Sequence, residues 1–133
     1  MIGVVVVTHG QLAIELVNAA EMIVGELPQF TPVSIGWHDE VNDAREDIAQ
    51  AIERVRSDSG VLVLTDMFGG TPSNLAISVM NGAKVEVVAG INLPMLIKLA
   101  SVRDHSNLET AAAQAQDAGR KYIQIASRVL SGK

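Results

Sequence analysis

Three observations predict an α/β fold, a three-layer α/β/α sandwich on a mostly parallel sheet with one antiparallel C-terminal edge strand. The apolar runs at residues 2–7 and 61–64 are continuous rather than alternating, the pattern of strands buried on both faces. Segments of helical spacing lie between the strands, so successive strands join through right-handed crossovers and pair in parallel. Residues 121–127 alternate Tyr122, Ile123, Gln124, Ile125 and Ala126, a period-two pattern that suits a strand at the sheet's edge.

The first strand, Ile2-Gly3-Val4-Val5-Val6-Val7, breaks at Thr8-His9-Gly10. From Gln11 the apolar residues Leu12, Ile14, Leu16, Val17, Ala20 and Ile23 predict a helix that Gly25 stops. Pro28 and Pro32 mark a loop before a second strand at 33–37. Asp39, Asn42 or Asp43 is placed to cap a helix running through Ile48, Ile52 and Val55, whose charged side (Arg45, Glu46, Asp47, Glu53, Arg54, Arg56) reads as a solvated face. Val61-Leu62-Val63-Leu64-Thr65 forms the third strand. It runs into Asp66-Met67-Phe68-Gly69-Gly70, after which Thr71 as N-cap and Pro72 at the first turn open a helix that Asn81-Gly82 stops. A fourth strand spans 84–89, a helix opens at Asn92-Leu93-Pro94, and another runs from 107 to 118, where Gly119 ends it. That stop favours the edge strand in the tail, although Ile125, Val129 and Leu130 also fit a helix.

The 133 residues fit one domain, 1–133, with 48% hydrophobic and 19% charged residues, enough apolar material for a core. Ten Lys and Arg against fifteen Asp and Glu give −5 with no basic cluster, which argues against a nucleic-acid partner. The absence of Cys excludes disulfides, thiolate zinc sites and a Cys nucleophile. Without a basic n-region or an apolar stretch of membrane-spanning length, a cytoplasmic protein with no direct membrane insertion is expected.

A parallel sheet collects its chemistry beyond the carboxyl ends of its strands, where the strand order reverses. Two strands end there in polar residues, Thr8-His9-Gly10 and Thr65-Asp66, so topology can bring His9 and Asp66 together. His9 then reads either as a reactive imidazole or as a loop residue bonded to the strand end. Asp66 reads either as the acceptor that fixes the ring's tautomer and leaves its other nitrogen nucleophilic, or as a turn residue. Gly69-Gly70-Thr71 before a helix offers unshielded amides and a hydroxyl to an anion, or is an ordinary strand-to-helix turn. The segment lacks the Lys of a Walker A loop and the third glycine of a dinucleotide fingerprint. His38 and His105 read as surface residues, and no metal or other cofactor is expected. Trp37 and Phe68 read as packing or rim residues, and Met22, Met67, Met80 and Met95 as core. Ser73 has no visible base and no nucleophile-elbow context.

Val6-Val7-Thr8-His9-Gly10, the stretch at 19–25, Asp66-Met67-Phe68-Gly69-Gly70-Thr71-Pro72-Ser73-Asn74, and Asn92-Leu93-Pro94-Met95-Leu96 occur in that order. Together they resemble the mannose-type (mannose/fructose/sorbose) IIA domain of the bacterial phosphoenolpyruvate-dependent sugar phosphotransferase system, over essentially the whole chain. The resemblance implies a phosphotransferase that accepts a phosphoryl group from HPr on His9 and passes it to a histidine of a IIB protein, with membrane IIC and IID components in a transport system. By the same resemblance Asp66 orients His9, Gly69, Gly70 and Thr71 hold the phosphoryl group, and the C-terminal strand is exchanged within a homodimer. An exposed apolar rim that includes Phe68 is expected, since both donor and acceptor are proteins. Ser73 stands where some relatives carry an aromatic residue, a departure at the expected partner surface. The sequence stops at Lys133 without a linker and IIB segment, unlike some family members. A phosphotransfer subunit of a dihydroxyacetone kinase and a phosphorylation-dependent regulatory module are the alternatives.

Overall fold

The computed structural model describes residues 1–36, 39–80 and 84–132. Four strands, β1 (Gly3–His9), β2 (Phe30–Ile35), β3 (Val61–Thr65) and β4 (Val85–Ala89), form one sheet in the order β2-β1-β3-β4. Every pairing is parallel, with Val7 beside Val33 on one side and Thr65 on the other. The helices are α1 (Leu12–Val24), α2 (Val41–Val55), α3 (Thr71–Ser78), α4 (Leu93–Val102), α5 (Leu108–Lys121) and α6 (Ala126–Leu130).

The unbroken apolar strands have the use their pattern implies. Val4, Val6, Leu62 and Leu64 point to the face covered by α1, α4 and α5, where they meet Ala13, Val17, Leu96, Leu99 and Ala115. Val5, Val7, Val61 and Val63 point to the other face and meet Ile48, Ile52 and Leu75 of α2 and α3. Each of these strand residues is fully buried, so both sides of the central strands are dry and an alternating sequence would leave polar groups in a core.

Several boundaries differ from expectation. β2 begins at Phe30 and takes in Pro32, which an outermost strand tolerates because one side of its backbone needs no ladder partner. Glu40 is the N-cap of α2 with no side-chain capping bond, because Asp39 instead accepts from the Gly36 N–H at 2.7 Å. Trp37, His38 and the Asn81-Gly82 stop lie outside the described residues. α3 closes at Ser78, followed by a C-cap at Val79.

The edge strand expected at 121–127 is absent, since all four strands are parallel and none comes from the tail. Helix α5 continues through Gly119 to Lys121 because the missing side chain there is a packing requirement rather than a stop. A Cβ on Gly119 would lie 3.1 Å from Met95 Cε, and Asn92 Nδ2 donates to the Gly119 carbonyl at 2.9 Å while its Oδ1 caps α4 through Met95 N–H. Beyond α5 the chain forms the short helix α6, whose backbone bonds are internal, and Ile123, Ile125, Val129 and Leu130 stay exposed.

Candidate functional site

The strand order reverses between β1 and β3. From β1 the chain crosses through α1 to β2 on one side, and from β3 through α3 to β4 on the other, leaving a crevice beyond the carboxyl ends of the two central strands. His9 ends β1 and Asp66 follows β3, so two residues 57 apart in sequence face each other across that crevice.

The carboxylate of Asp66 lies 2.7 Å from His9 Nδ1 through Oδ2, and the same oxygen accepts the His9 backbone N–H at 3.0 Å. Oδ1 accepts the Met67 backbone N–H at 3.0 Å. The carboxylate is thus held by its own strand end and by its neighbour's, and it can only accept. Nδ1 must carry the proton in this contact, which leaves the Nε2 lone pair uncommitted. Partial burial pulls the Asp66 carboxyl upward, but the His9 amide, the ring contact, the ring's charge and the Met67 amide outweigh it and set the group below its ordinary value. The His9 side chain is 54% exposed and that of Asp66 14%, so the acceptor is recessed and the ring projects to solvent.

The loop after Asp66 is shaped around that ring. Gly69 has φ +88°, a conformation that side chains disfavour. Gly70 lies so close that a Cβ there would sit 3.2 Å from His9 Cε1 and 3.2 Å from Met67 Cγ. Gly70, rather than Thr71, is the N-cap of α3, with no side-chain capping bond, and Thr71 is the first helical residue with an exposed side chain. The Gly70 N–H donates to the Met67 carbonyl at 3.3 Å, so this amide is already engaged. The first backbone bond of α3 runs from Asn74 N–H to Gly70 O; the N–H groups of Thr71 and Ser73 precede it, and Pro72 has none. Positive potential therefore gathers at this helix end next to His9.

Around the ring the surface is apolar: Phe68 is 78% exposed, with Met67 and Leu12 also exposed. Met67 and Met22 are therefore not core residues, whereas Met95 is. Ser73 is fully buried beneath α3 with its Oγ unpartnered, so it belongs to no partner surface. His105 lies in the turn after α4, at the opposite end of the sheet. Among the described residues no group of three or more His, Cys, Asp or Glu side chains gathers to hold a metal ion.

Thr8 is a contributor the sequence reading passed over. Its buried Oγ1 accepts the Ala13 N–H at 2.7 Å, supplying the capping bond that Gln11 does not make and tying α1 to the residue before His9. The available signal was a Thr ending an apolar strand, followed closely by a helix with no Ser, Thr, Asp or Asn at its cap.

The model of the EIIA-man family, described as the PTS system fructose IIA component, matches residues 3–116. The PTS system fructose-specific EIIA component of Bacillus subtilis is 30% identical over 131 residues, 98% of this chain and 90% of that protein. The PTS system mannose-specific EIIAB component of Escherichia coli K12 is 32% identical over 130 residues, 92% of this chain but 39% of the longer protein. Among solved structures, the mannose/sorbose-specific IIA subunit from Enterococcus faecalis superimposes with a TM-score of 0.84 and 31% identity, covering 93% of each chain.

Proposed function

Because the chain belongs to the EIIA-man family, we propose that it is a phosphohistidine carrier of the sugar phosphotransferase system, charged on His9 Nε2 by HPr and discharged to a histidine of a IIB protein. The observation that carries this reading is the 2.7 Å contact between Asp66 and His9 Nδ1, which holds the ring in the tautomer whose Nε2 can attack.

In the charging step Nε2 donates its lone pair to the phosphorus of the donor phosphohistidine. The N–P bond of the donor breaks, and its electron pair returns to the donor ring. His9 then carries the phosphoryl group on Nε2 and the proton on Nδ1, an imidazolium whose charge the Asp66 carboxylate opposes. Discharge to IIB reverses these bond changes. A transfer between two imidazoles needs alignment and stabilisation of the equatorial oxygens more than it needs a strong base. The amides of Gly69 and Thr71 and the Thr71 hydroxyl serve those oxygens, while Gly70 contributes by its close approach to the ring. The exposed ring and its apolar rim, with Phe68 foremost, suit two protein partners that dock briefly at one place.

No helix among the described residues is long and apolar enough to cross a membrane. By its family the carrier is cytoplasmic and feeds membrane IIC and IID components. The exposed apolar side chains of the tail, from Ile123 to Leu130, support a homodimer that covers them. Sedimentation at micromolar concentration should show twice the chain mass, and a monomer would contradict it.

Incubation with phosphoenolpyruvate, enzyme I and HPr tests the carrier role. An acid-labile phosphate on His9, absent after His9→Ala and lost on adding the cognate IIB protein, is the expected result. Phosphate retained in the presence of IIB overturns the relay.

A further inference from the structure

The sequence holds five methionines and no cysteine, so a two-electron oxidant meets thioethers and no competing thiol. Exposure sorts the five. Met95 is 3% exposed in the core, and Met80 packs partly buried against the other core cluster. Met1 and Met22 are exposed but stand away from His9. Met1 precedes β1, at the far end of that strand, and Met22 lies in the last turn of α1, whose first turn is the one that follows His9. Met67 is 57% exposed and directly follows Asp66. Its backbone belongs to the site: the N–H donates to Asp66 Oδ1 at 3.0 Å, and the carbonyl accepts the Gly70 N–H at 3.3 Å. Its side chain borders the ring. The point where Gly70 would carry a Cβ is 3.2 Å from Met67 Cγ and 3.2 Å from His9 Cε1, so the thioether arm and the imidazole flank one spot.

We propose that Met67 is a modification site, at which oxidation by a peroxide slows phosphotransfer. Its sulfur lone pair attacks one oxygen of the peroxide. The S–O bond forms as the O–O bond breaks, and a proton passes from the bonded oxygen to the leaving one. Sulfur loses two electrons, and hydrogen peroxide is reduced to water. The product is a sulfoxide, a polar acceptor with no proton to donate, in place of an apolar arm. The role rests on the carrier reading, in which protein donors and acceptors cover the rim around His9. Docking strips water from the sulfoxide, and a surface complementary to an apolar rim offers no donor in return. The bonds to Asp66 are untouched, because Met67 contributes to them through its main chain. Oxidation therefore weakens docking and leaves the tautomer of the ring in place.

The test treats the full chain with hydrogen peroxide, removes the excess with catalase, and only then adds phosphoenolpyruvate, enzyme I and limiting HPr. Peptide mass spectrometry locates the added oxygen, and the labelling rate reads the consequence. Met67 and Met22 should each gain an oxygen while Met95 gains none, and labelling should slow about tenfold, the cost of one unserved polar group at a covered surface. Met22→Leu should lose as much as the unmutated chain. Met67→Leu, whatever its starting rate, should keep that rate through the treatment. Methionine sulfoxide reductases, one for each epimer, should restore the oxidised chain. Met67 left unmodified at a peroxide level that oxidises Met22, an unchanged rate with Met67 oxidised, or an equal loss in Met67→Leu would overturn the proposal. Failure of the untreated chain to label would refute the carrier reading itself and this role with it, a result distinct from the other three.

Discussion

Replacing Asp66 by Asn and by Ala separates the two things this carboxylate supplies, a fixed tautomer and a negative charge. Three donors converge on it: the His9 N–H at 3.0 Å, the Nδ1–H at 2.7 Å and the Met67 N–H at 3.0 Å. A carboxamide has one oxygen, so Asp66→Asn can face it to His9 and serve two donors, or to Met67 and serve one. The first arrangement leaves fewer donors unpaired, so the variant keeps the Nδ1–H tautomer and loses mainly the charge. A hydrogen bond to a charged group contributes about 1.5–3 kcal/mol against about 0.5–1.5 for a neutral one, so the charge is worth about 1 kcal/mol here, or about fivefold in rate. Asp66→Ala loses the whole interaction and frees the ring to rotate. With the His9 side chain 54% exposed, solvent holds that loss near 2 kcal/mol, about thirtyfold. The assay is single-turnover labelling from phosphorylated HPr in a quench-flow instrument, with circular dichroism to confirm folding. The ordering wild type, then Asn, then Ala supports the role. An Ala variant as fast as wild type, or an Asn variant slower than Ala, refutes it.

Gly70→Ala places a methyl 3.2 Å from both His9 Cε1 and Met67 Cγ at an ordinary φ of −81°, so thermal melts should change little while labelling falls about threefold to tenfold, about 1 kcal/mol of misplacement. Phe68→Ala removes an exposed ring, so stability should stay within about 0.5 kcal/mol while the affinity for HPr, read by surface plasmon resonance, falls several-fold. The Asp66 carboxyl sits below its ordinary value, so its contribution to stability is complete above about pH 4 and is lost as the pH drops through the folded value. Urea melts should therefore show a gap between wild type and Asp66→Ala that is constant from pH 8 to about pH 5 and narrows towards pH 3; a gap that widens in acid would contradict this.

Much of the site is legible because it lies where strong patterns end. Two continuous apolar runs, 2–7 and 61–64, demand parallel central strands, and a polar residue just past each run must sit at the carboxyl edge. That reasoning brings His9 and Asp66 to one edge, as the geometry does. The tail is illegible for a related reason. Gly119 reads as a stop, but whether a glycine ends a helix or admits a neighbour depends on what packs against it, here Met95 and Asn92 from another helix. The alternation of Tyr122 to Ala126 is local, and a strand needs a partner edge that local sequence does not reveal. Ser73 looks like a surface residue of a polar loop, yet the first turn of α3 faces it into the core. Arg103 follows α4 as one charge in a polar turn, and only the Pro28 carbonyl and the Phe30 ring, brought to it from distant sequence, show it to be a buried one.

The most direct measurement is which atom carries the phosphoryl group. Two-dimensional ¹H–¹⁵N spectra of the phosphorylated protein, labelled in histidine, distinguish the two ring nitrogens. Phosphorus on His9 Nε2, with a slowly exchanging proton on Nδ1, is the predicted result. Phosphorus on Nδ1, or on any residue other than His9, would contradict the role assigned to Asp66 and with it the account of the site.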